Sequence, residues 1–444
     1  MPEREDSRLT AQVAQDAALR GDLQLHSEFQ KFWVGQLISR LGGSVTTFAL
    51  PLLVYHLTGS ALDLGVVTAA TYLPYPLVGL LLGALADRLD RRRLMIAVDL
   101  ARALVMLGLA LLALSGGLSM GWLVASALVN SALSILFDAA EIAALPALVA
   151  RGDLVAVNGR ILALNAVAEA LGPALAGVLI TFTPIGGVLL ADAVSFLASA
   201  ASLAVIRTGF NGEGFGRDGR PPPTSLFREA REGLRYVLTQ PVLRAISVMF
   251  ALVHFVGSTR FAQLVLFADR QYHATAGQLG LLYAAGSAGV ALLALLAGPL
   301  QRRLSFGTLL VGALLLNGLS TLGLVWTNWY VLALPLWALT SGSLVLIAVY
   351  AASLRQLIVP EPLLGRVVSV AGVLAWSAIP VGSALGGALI ERTRQVALVY
   401  GAMGALVVMI ALGFARYLAV SRRAGGGQGW PDVQTTSAAM ADHR

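Results

Sequence analysis

Twelve stretches of about twenty apolar residues follow one another along the chain, and this pattern leaves few folds open. A helix needs about 20 such residues to cross about 30 Å of hydrocarbon. The stretches run over 32–57, 62–86, 92–115, 119–144, 157–181, 185–206, 243–267, 277–299, 305–326, 329–353, 367–390 and 396–419. Of 444 residues 57% are hydrophobic and 12% charged, too few charges to coat a water-soluble body of this size. In lipid each span must satisfy its own backbone hydrogen bonds, so the spans are helices. The pattern predicts an all-α polytopic membrane protein.

The gaps between the spans alternate in character. Those after the first, third, fifth and ninth spans are short and lack arginine and lysine. Those after the second, fourth, sixth, eighth and tenth are basic: Arg88 to Arg93, Arg151, Arg207 to Arg235, Arg302 with Arg303, and Arg355 with Arg366. With both termini in the cytoplasm, 25 of the 31 basic residues fall on the inner side. The reverse orientation breaks the positive-inside rule almost everywhere. This predicts a multi-pass plasma-membrane protein with both ends cytoplasmic. The net charge of +7 is spread among these gaps and forms no basic domain, so it reads as topology and not as a nucleic-acid site. With no cysteine there is no disulfide, thiol chemistry or cysteine metal site. Residues 1–31 form a polar cytoplasmic segment without a signal-peptide apolar core, so the first span is expected to direct insertion.

The one long interruption divides the spans into bundles of six, at 32–206 and 243–420. Within the linker, 207–242, a Gly- and Pro-rich part ends at Pro223, and Thr224 then caps an amphipathic helix. Leu226, Ala230, Leu234 and Val237 share a stripe, which predicts a helix on the inner membrane surface with its arginines against lipid phosphates. The tail, 421–444, is expected to be disordered. Gly172-Pro-Ala-Leu-Ala-Gly-Val-Leu-Ile180 recurs as Gly382-Ser-Ala-Leu-Gly-Gly-Ala-Leu-Ile390, identical at six of nine positions, in the fifth span of each bundle. Two similar bundles rocking about a central site are an architecture of secondary transporters.

Between the second and third spans lies Gly83-Ala-Leu-Ala-Asp87-Arg88-Leu-Asp90-Arg91-Arg92-Arg93, with a fainter echo at Gly298 to Leu304. Gly83-x-Leu85-Ala86-Asp87-Arg88-x-x-Arg91-Arg92 resembles the signature of the major facilitator superfamily. Gly172-Pro173-x-x-Ala176-Gly177 resembles the fifth-helix motif of its proton-coupled exporters. From about Phe32 to Val420 the chain is similar to a branch of bacterial drug, macrolide and siderophore exporters. The resemblance implies twelve helices in two pseudo-symmetric bundles. It departs from that branch in three places. Asp90 stands where a glycine is usual, Leu41-Gly42-Gly43-Ser44 replaces a first-helix aspartate, and 119–144 lacks an arginine. The charged turn reads as a conformational latch. Gly83, Asp87, Arg88, Arg91 and Arg92 would meet Gly365 and Arg366, with Asp87 capping the start of the eleventh span.

No phosphate-binding loop is possible, because the only lysine, Lys31, is followed by Phe32. No cofactor or metal is implied. A coupling ion remains, and acids inside spans are its natural carriers. Glu169, one turn before Gly172-Pro173, leads; a fixed pair with Arg40 is the structural alternative. Asp138 and Glu141 can share a proton, or they balance Arg91 to Arg93. Asp99 and Arg102 read as an i,i+3 pair, and Asp192, His254 and Arg260 as further polar intrusions. Gly172, Pro173 and Gly177, with Pro380, Gly382, Gly386 and Gly387, form a hinge or packing seam. Phe48, Tyr55, Tyr72, Tyr75, Phe250 and Trp376 suit an amphipathic substrate, with lipid-facing or core roles as the alternative.

The leading function is therefore proton-driven export of amphipathic small molecules, by a bundle that can work as a monomer. Nutrient uptake or uniport uses the same fold. A membrane enzyme would need a clustered His/Asp or metal site, and a sensor would need a soluble relay domain; neither pattern is present.

Overall fold

The computed structural model describes residues 2–86, 88–148, 154–210 and 226–423. Among them every regular element is helical. The first half holds α1 (Pro2–Thr58), α2 (Ala61–Tyr72), α3 (Pro74–Ala86), α4 (Arg91–Ser115), α5 (Met120–Leu148), α6 (Leu154–Phe182) and α7 (Ile185–Val205). Then come α8 (Leu226–Thr239) and the second half: α9 (Pro241–Ala262), α10 (Leu264–Tyr272), α11 (Ala276–Gln301), α12 (Phe306–Trp326), α13 (Tyr330–Ile358), α14 (Glu361–Thr393) and α15 (Val396–Arg423). Twelve helical stretches among the described residues are long and apolar enough to cross a membrane.

Local chemistry sets the ends. Ser60 caps α2 by accepting from Asp63 N at 3.2 Å, and Asp90 caps α4 by accepting from Arg93 N at 2.8 Å. The residue that departs from the usual glycine thus starts a helix. Two expected spans are broken. Pro74 divides the second into α2 and α3, since proline has no N–H to continue the ladder. The seventh breaks at Gln263, whose buried side chain donates to Ala61 O at 2.6 Å. Residues 2–31, expected as a separate polar segment, continue α1: Phe29 is buried, and Glu28 accepts from Arg207 N at 2.7 Å.

The repeat has a spatial counterpart. In the first half, a Cβ at Gly172 would stand 2.2 Å from Ser44 Oγ on α1, and one at Gly177 3.3 Å from Ala276 O on α11. In the second, a Cβ at Gly382 would stand 2.1 Å from Phe255 O on α9, and one at Gly387 2.5 Å from Ala61 O on α2. In each half the fifth span uses one glycine against its own first span. A second glycine, five positions on, meets the second span of the opposite half. A Cβ at Gly386 would strike Thr259 of α9 at 2.1 Å. Backbones can approach this closely only where side chains are absent.

The amphipathic helix is anchored on the protein at one stripe position, while Leu234 stays exposed. α8 packs against the start of α14, where a Cβ at Gly233 would stand 2.8 Å from Arg366 O. Glu232 accepts from Arg366 at 2.6 Å, and Val237 is buried with Leu243, Val359, Val367 and Val370. Burial of Val237 in this apolar cluster fixes α8 to the start of α14. Thr224, Asp87, most of the Gly/Pro-rich linker and the tail lie outside the described residues.

The bundle has an arginine-rich end, where α3 meets α4, and a far end, where α1 meets α2. At the far end the halves share one core, which runs from Phe48, Leu52 and Leu64 to Phe267, Leu279 and Tyr400. Toward the arginine-rich end each half keeps its own: Phe32, Met95, Leu148 and Phe210 in the first, Met249, Leu310, Leu354 and Phe414 in the second.

Candidate substrate cavity

Between the halves lies a cavity of about 730 Å³. The volume is that of pockets taking drug-sized molecules, about 300–1,000 Å³. The first half contributes Arg40, Ser44, Thr47 and Phe48 of α1, Tyr72 of α2, and Asn165, Glu169 and Pro173 of α6. The second contributes Gly257, Arg260 and Phe261 of α9, Tyr283 and Ser287 of α11, and Trp337, Thr340 and Ser341 of α13. Phe48 and Phe261 both meet the Tyr283 ring edge-on, with centroids 5.2 and 6.2 Å away. The result is an aromatic wall with polar groups spaced along it. Asn165 Oδ1 and Tyr283 Oη are buried there without a partner among the described residues.

Among the described residues four hydrogen bonds join the halves, and three of them close this space on its far side. Tyr55 Oη donates to Asp269 at 2.5 Å, Ala61 N to Glu391 at 3.1 Å and Gln263 Nε2 to Ala61 O at 2.6 Å. Deeper in, Ser287 Oγ donates to Glu169 O at 2.8 Å.

Of the candidate acids, Glu169 faces the cavity and its carboxylate is exposed to it. Its expected alternative, a pair with Arg40, does not form: Arg40 donates instead to Glu141, which is buried in α5. The register of α5 against α1 places Glu141, and not the acid on α6, opposite the guanidinium. Asp138, one turn before Glu141, is exposed. Neither acid balances the basic turn. Arg91 donates to Ala143 O at 2.8 Å and Phe210 O at 3.3 Å, and Arg92 donates to Leu203 O at 2.9 Å. Arg92 thus caps the carbonyl end of α7, where a cation complements the helix dipole, and Arg91 ties α5 to the segment after α7. Arg88 is exposed, and a Cβ at Gly83 would meet nothing within 4 Å. Arg366 pairs with Glu232, and Gly365 lies in the first turns of α14.

Asp99 and Arg102 do not pair either. Asp99 is fully buried, whereas Arg102 donates to Asn130 at 3.1 Å and sits 4.1 Å over the Phe196 ring. Both offer Arg102 a partner that is less costly to desolvate than a carboxylate. Asp192 accepts from Thr46 at 2.5 Å and from Ser195 at 3.1 Å, tying α1 to α7. His254 is held by Phe250 O at 3.0 Å.

Among the six aromatic candidates, Phe48 and Tyr72 line the cavity. Tyr55 is drawn to Asp269 at the far end, and Phe250 lies under Arg355, 5.3 Å from its guanidinium, away from the cavity wall. Tyr75 and Trp376 stack at 4.9 Å, with Tyr72 beside them, where α2 and α3 meet α14. Tyr283 and Trp337 were not foreseen, because aromatic residues on α11 and α13 carry no mark of which face they occupy. Arg260 had a signal: an arginine within an apolar span costs about 2.5–3.5 kcal/mol on insertion scales.

The geometry joins twelve spans, two repeated bundles and a central amphipathic cavity, and comparison with known proteins agrees. A family model described as a transmembrane secretion effector matches residues 24–431. The multidrug efflux pump Tap of Mycolicibacterium fortuitum is 30% identical over 377 residues, 80% of this chain and 87% of that protein. Macrolide efflux protein A of Streptococcus pyogenes is 24% identical over 372 residues, 82% and 90% of the two chains. The crystal structure of the nucleoside transporter NupG superposes with a TM-score of 0.70 at 13% identity, over 89% of this chain and 98% of that one, which bears on the fold. The chain belongs to the transmembrane secretion effector family of the major facilitator superfamily, a family of transporters.

Proposed function

We propose that this protein is a secondary transporter of the bacterial plasma membrane that exports amphipathic small molecules in exchange for protons. The observation that carries the reading is the cavity between the repeated halves, closed at the far end and bearing the accessible carboxylate of Glu169. With the arginine-rich end in the cytoplasm, the cavity loads from inside. Rocking of the halves then breaks the far-end contacts and releases the cargo outside. The relatives named efflux pumps favour export over nutrient uptake or uniport.

Glu169 is the proton carrier in this scheme. Ionised, it is the acid that a cationic or polar cargo group meets; protonated from outside, it lets the cargo go and allows the return step. Arg40 and Glu141 hold α1 on α5 as the moving unit, with Asp138 beside them as the second acid. Everted vesicles with a pH-sensitive dye test the scheme. Adding ethidium to energised wild-type vesicles should release protons, and Glu169→Gln should reduce that flux about tenfold or more. Proton flux in Glu169→Gln equal to wild type would falsify the assignment.

A further inference from the structure

Arg260 is an unusual residue for a membrane helix. It is 1% exposed, and among the described residues no carboxylate forms an ion pair with it. Its Nη1 donates to Thr321 on α12, and its own carbonyl accepts from Tyr400 Oη on α15 at 2.5 Å. The Thr321 contact fixes one end of the guanidinium and leaves its charge uncompensated. Nε and Nη2 have no partner among the described residues. Nη2 lies beside Gly257, where a Cβ would stand 3.6 Å from it, and Gly257 and Arg260 both line the cavity. Tyr283 Oη, on another helix lining the same cavity, is also without a partner among the described residues. The other cavity arginine, Arg40, is already engaged by Glu141.

An arginine stays charged when buried, and its planar fork matches a carboxylate or a similar oxyanion. A helix position that keeps such a group desolvated, braced at one nitrogen and unpartnered at the other two, is built to be completed by a ligand. We propose that Arg260 is an anion-binding group of the cavity, and that the preferred cargo is an amphipathic molecule carrying a carboxylate or another oxyanion. Nε and Nη2 hold that anion, Tyr283 Oη adds a third donor, and the apolar body lies on Phe48, Phe261 and Trp337. Glu169, on the opposite half, is then left for the proton or for a cationic group of a zwitterion. This inference rests on the transporter reading and names the class of its cargo.

Full-length protein in lipid nanodiscs allows a direct test, with tryptophan fluorescence reporting on Trp337. The probes are fusidate, an amphipathic carboxylate, its methyl ester, and ethidium as a cation. Wild type should bind fusidate about tenfold more tightly than the ester, the scale of one charge-assisted contact. Arg260→Gln should weaken fusidate by about tenfold and the ester by no more than about twofold, while Arg260→Lys keeps part of the preference. The acid-to-ester ratio in wild type stands even if Arg260→Gln fails to fold. Equal affinities for acid and ester in wild type overturn the anion site. Binding and vesicle transport of the ester or ethidium, with Arg260→Gln unchanged toward fusidate, overturn it and leave the transporter intact. If no probe is bound or moved into everted vesicles, both readings fall.

Discussion

Arg40 and Glu141 meet across the first half, and the pair couples stability to the cavity. Glu141 has 5% of its side chain exposed, so removing Arg40 strands a buried carboxylate. Arg40→Ala should destabilise the protein by about 3–5 kcal/mol, the usual result of breaking a buried pair from one side. The double variant Arg40→Met with Glu141→Leu should recover most of that loss, because neither charge is then left behind. Thermal unfolding in detergent micelles reads both; equal losses in single and double variants would show that the pair is not the cause. At this scale the sequence announced which residues were costly, since Arg40, Asp99, Arg102, Glu141, Asp192 and Arg260 all stand inside apolar spans. It did not announce their partners. Spacing suggested Asp99 with Arg102 on one helix, yet Arg102 turned to Asn130 and Phe196 on two others. Pairing depends on the register between helices, which no single span encodes.

The glycines of α6 and α14 set how closely the helices approach, and they were legible because they repeat. A nine-residue echo in the fifth span of each half predicted a thin face, and each copy meets its own first span and the other half's second. Gly382→Ala must displace the Phe255 carbonyl and should destabilise by about 1–3 kcal/mol, as overpacking does. Gly372→Ala, on the same helix with nothing within 4 Å, should be neutral or slightly stabilising. Thermal midpoints compare the two, and equal effects would remove the packing seam. α8 shows the converse. Its stripe was visible, but a stripe does not say what covers it, and here Val237 packs into a cluster with Val367 and Val370 of α14. The broken second span was also signalled, by Pro74, while the break at Gln263 had no local mark.

For the whole molecule, fold and topology were written in twelve apolar runs and the charges between them. The site was less so, because its wall is assembled from spans of both halves, and aromatic residues facing inward look like those facing lipid. The account's central claim is that the far end, closed here by Tyr55–Asp269 and by Ala61 with Gln263 and Glu391, opens during each cycle. The chain has no native cysteine, so a single introduced pair can be addressed cleanly. In Tyr55→Cys/Asp269→Cys, a short reducible thiol cross-linker should abolish ethidium transport in energised everted vesicles, and reduction should restore it. Transport that continues at the uncross-linked rate with the far end locked would contradict the account.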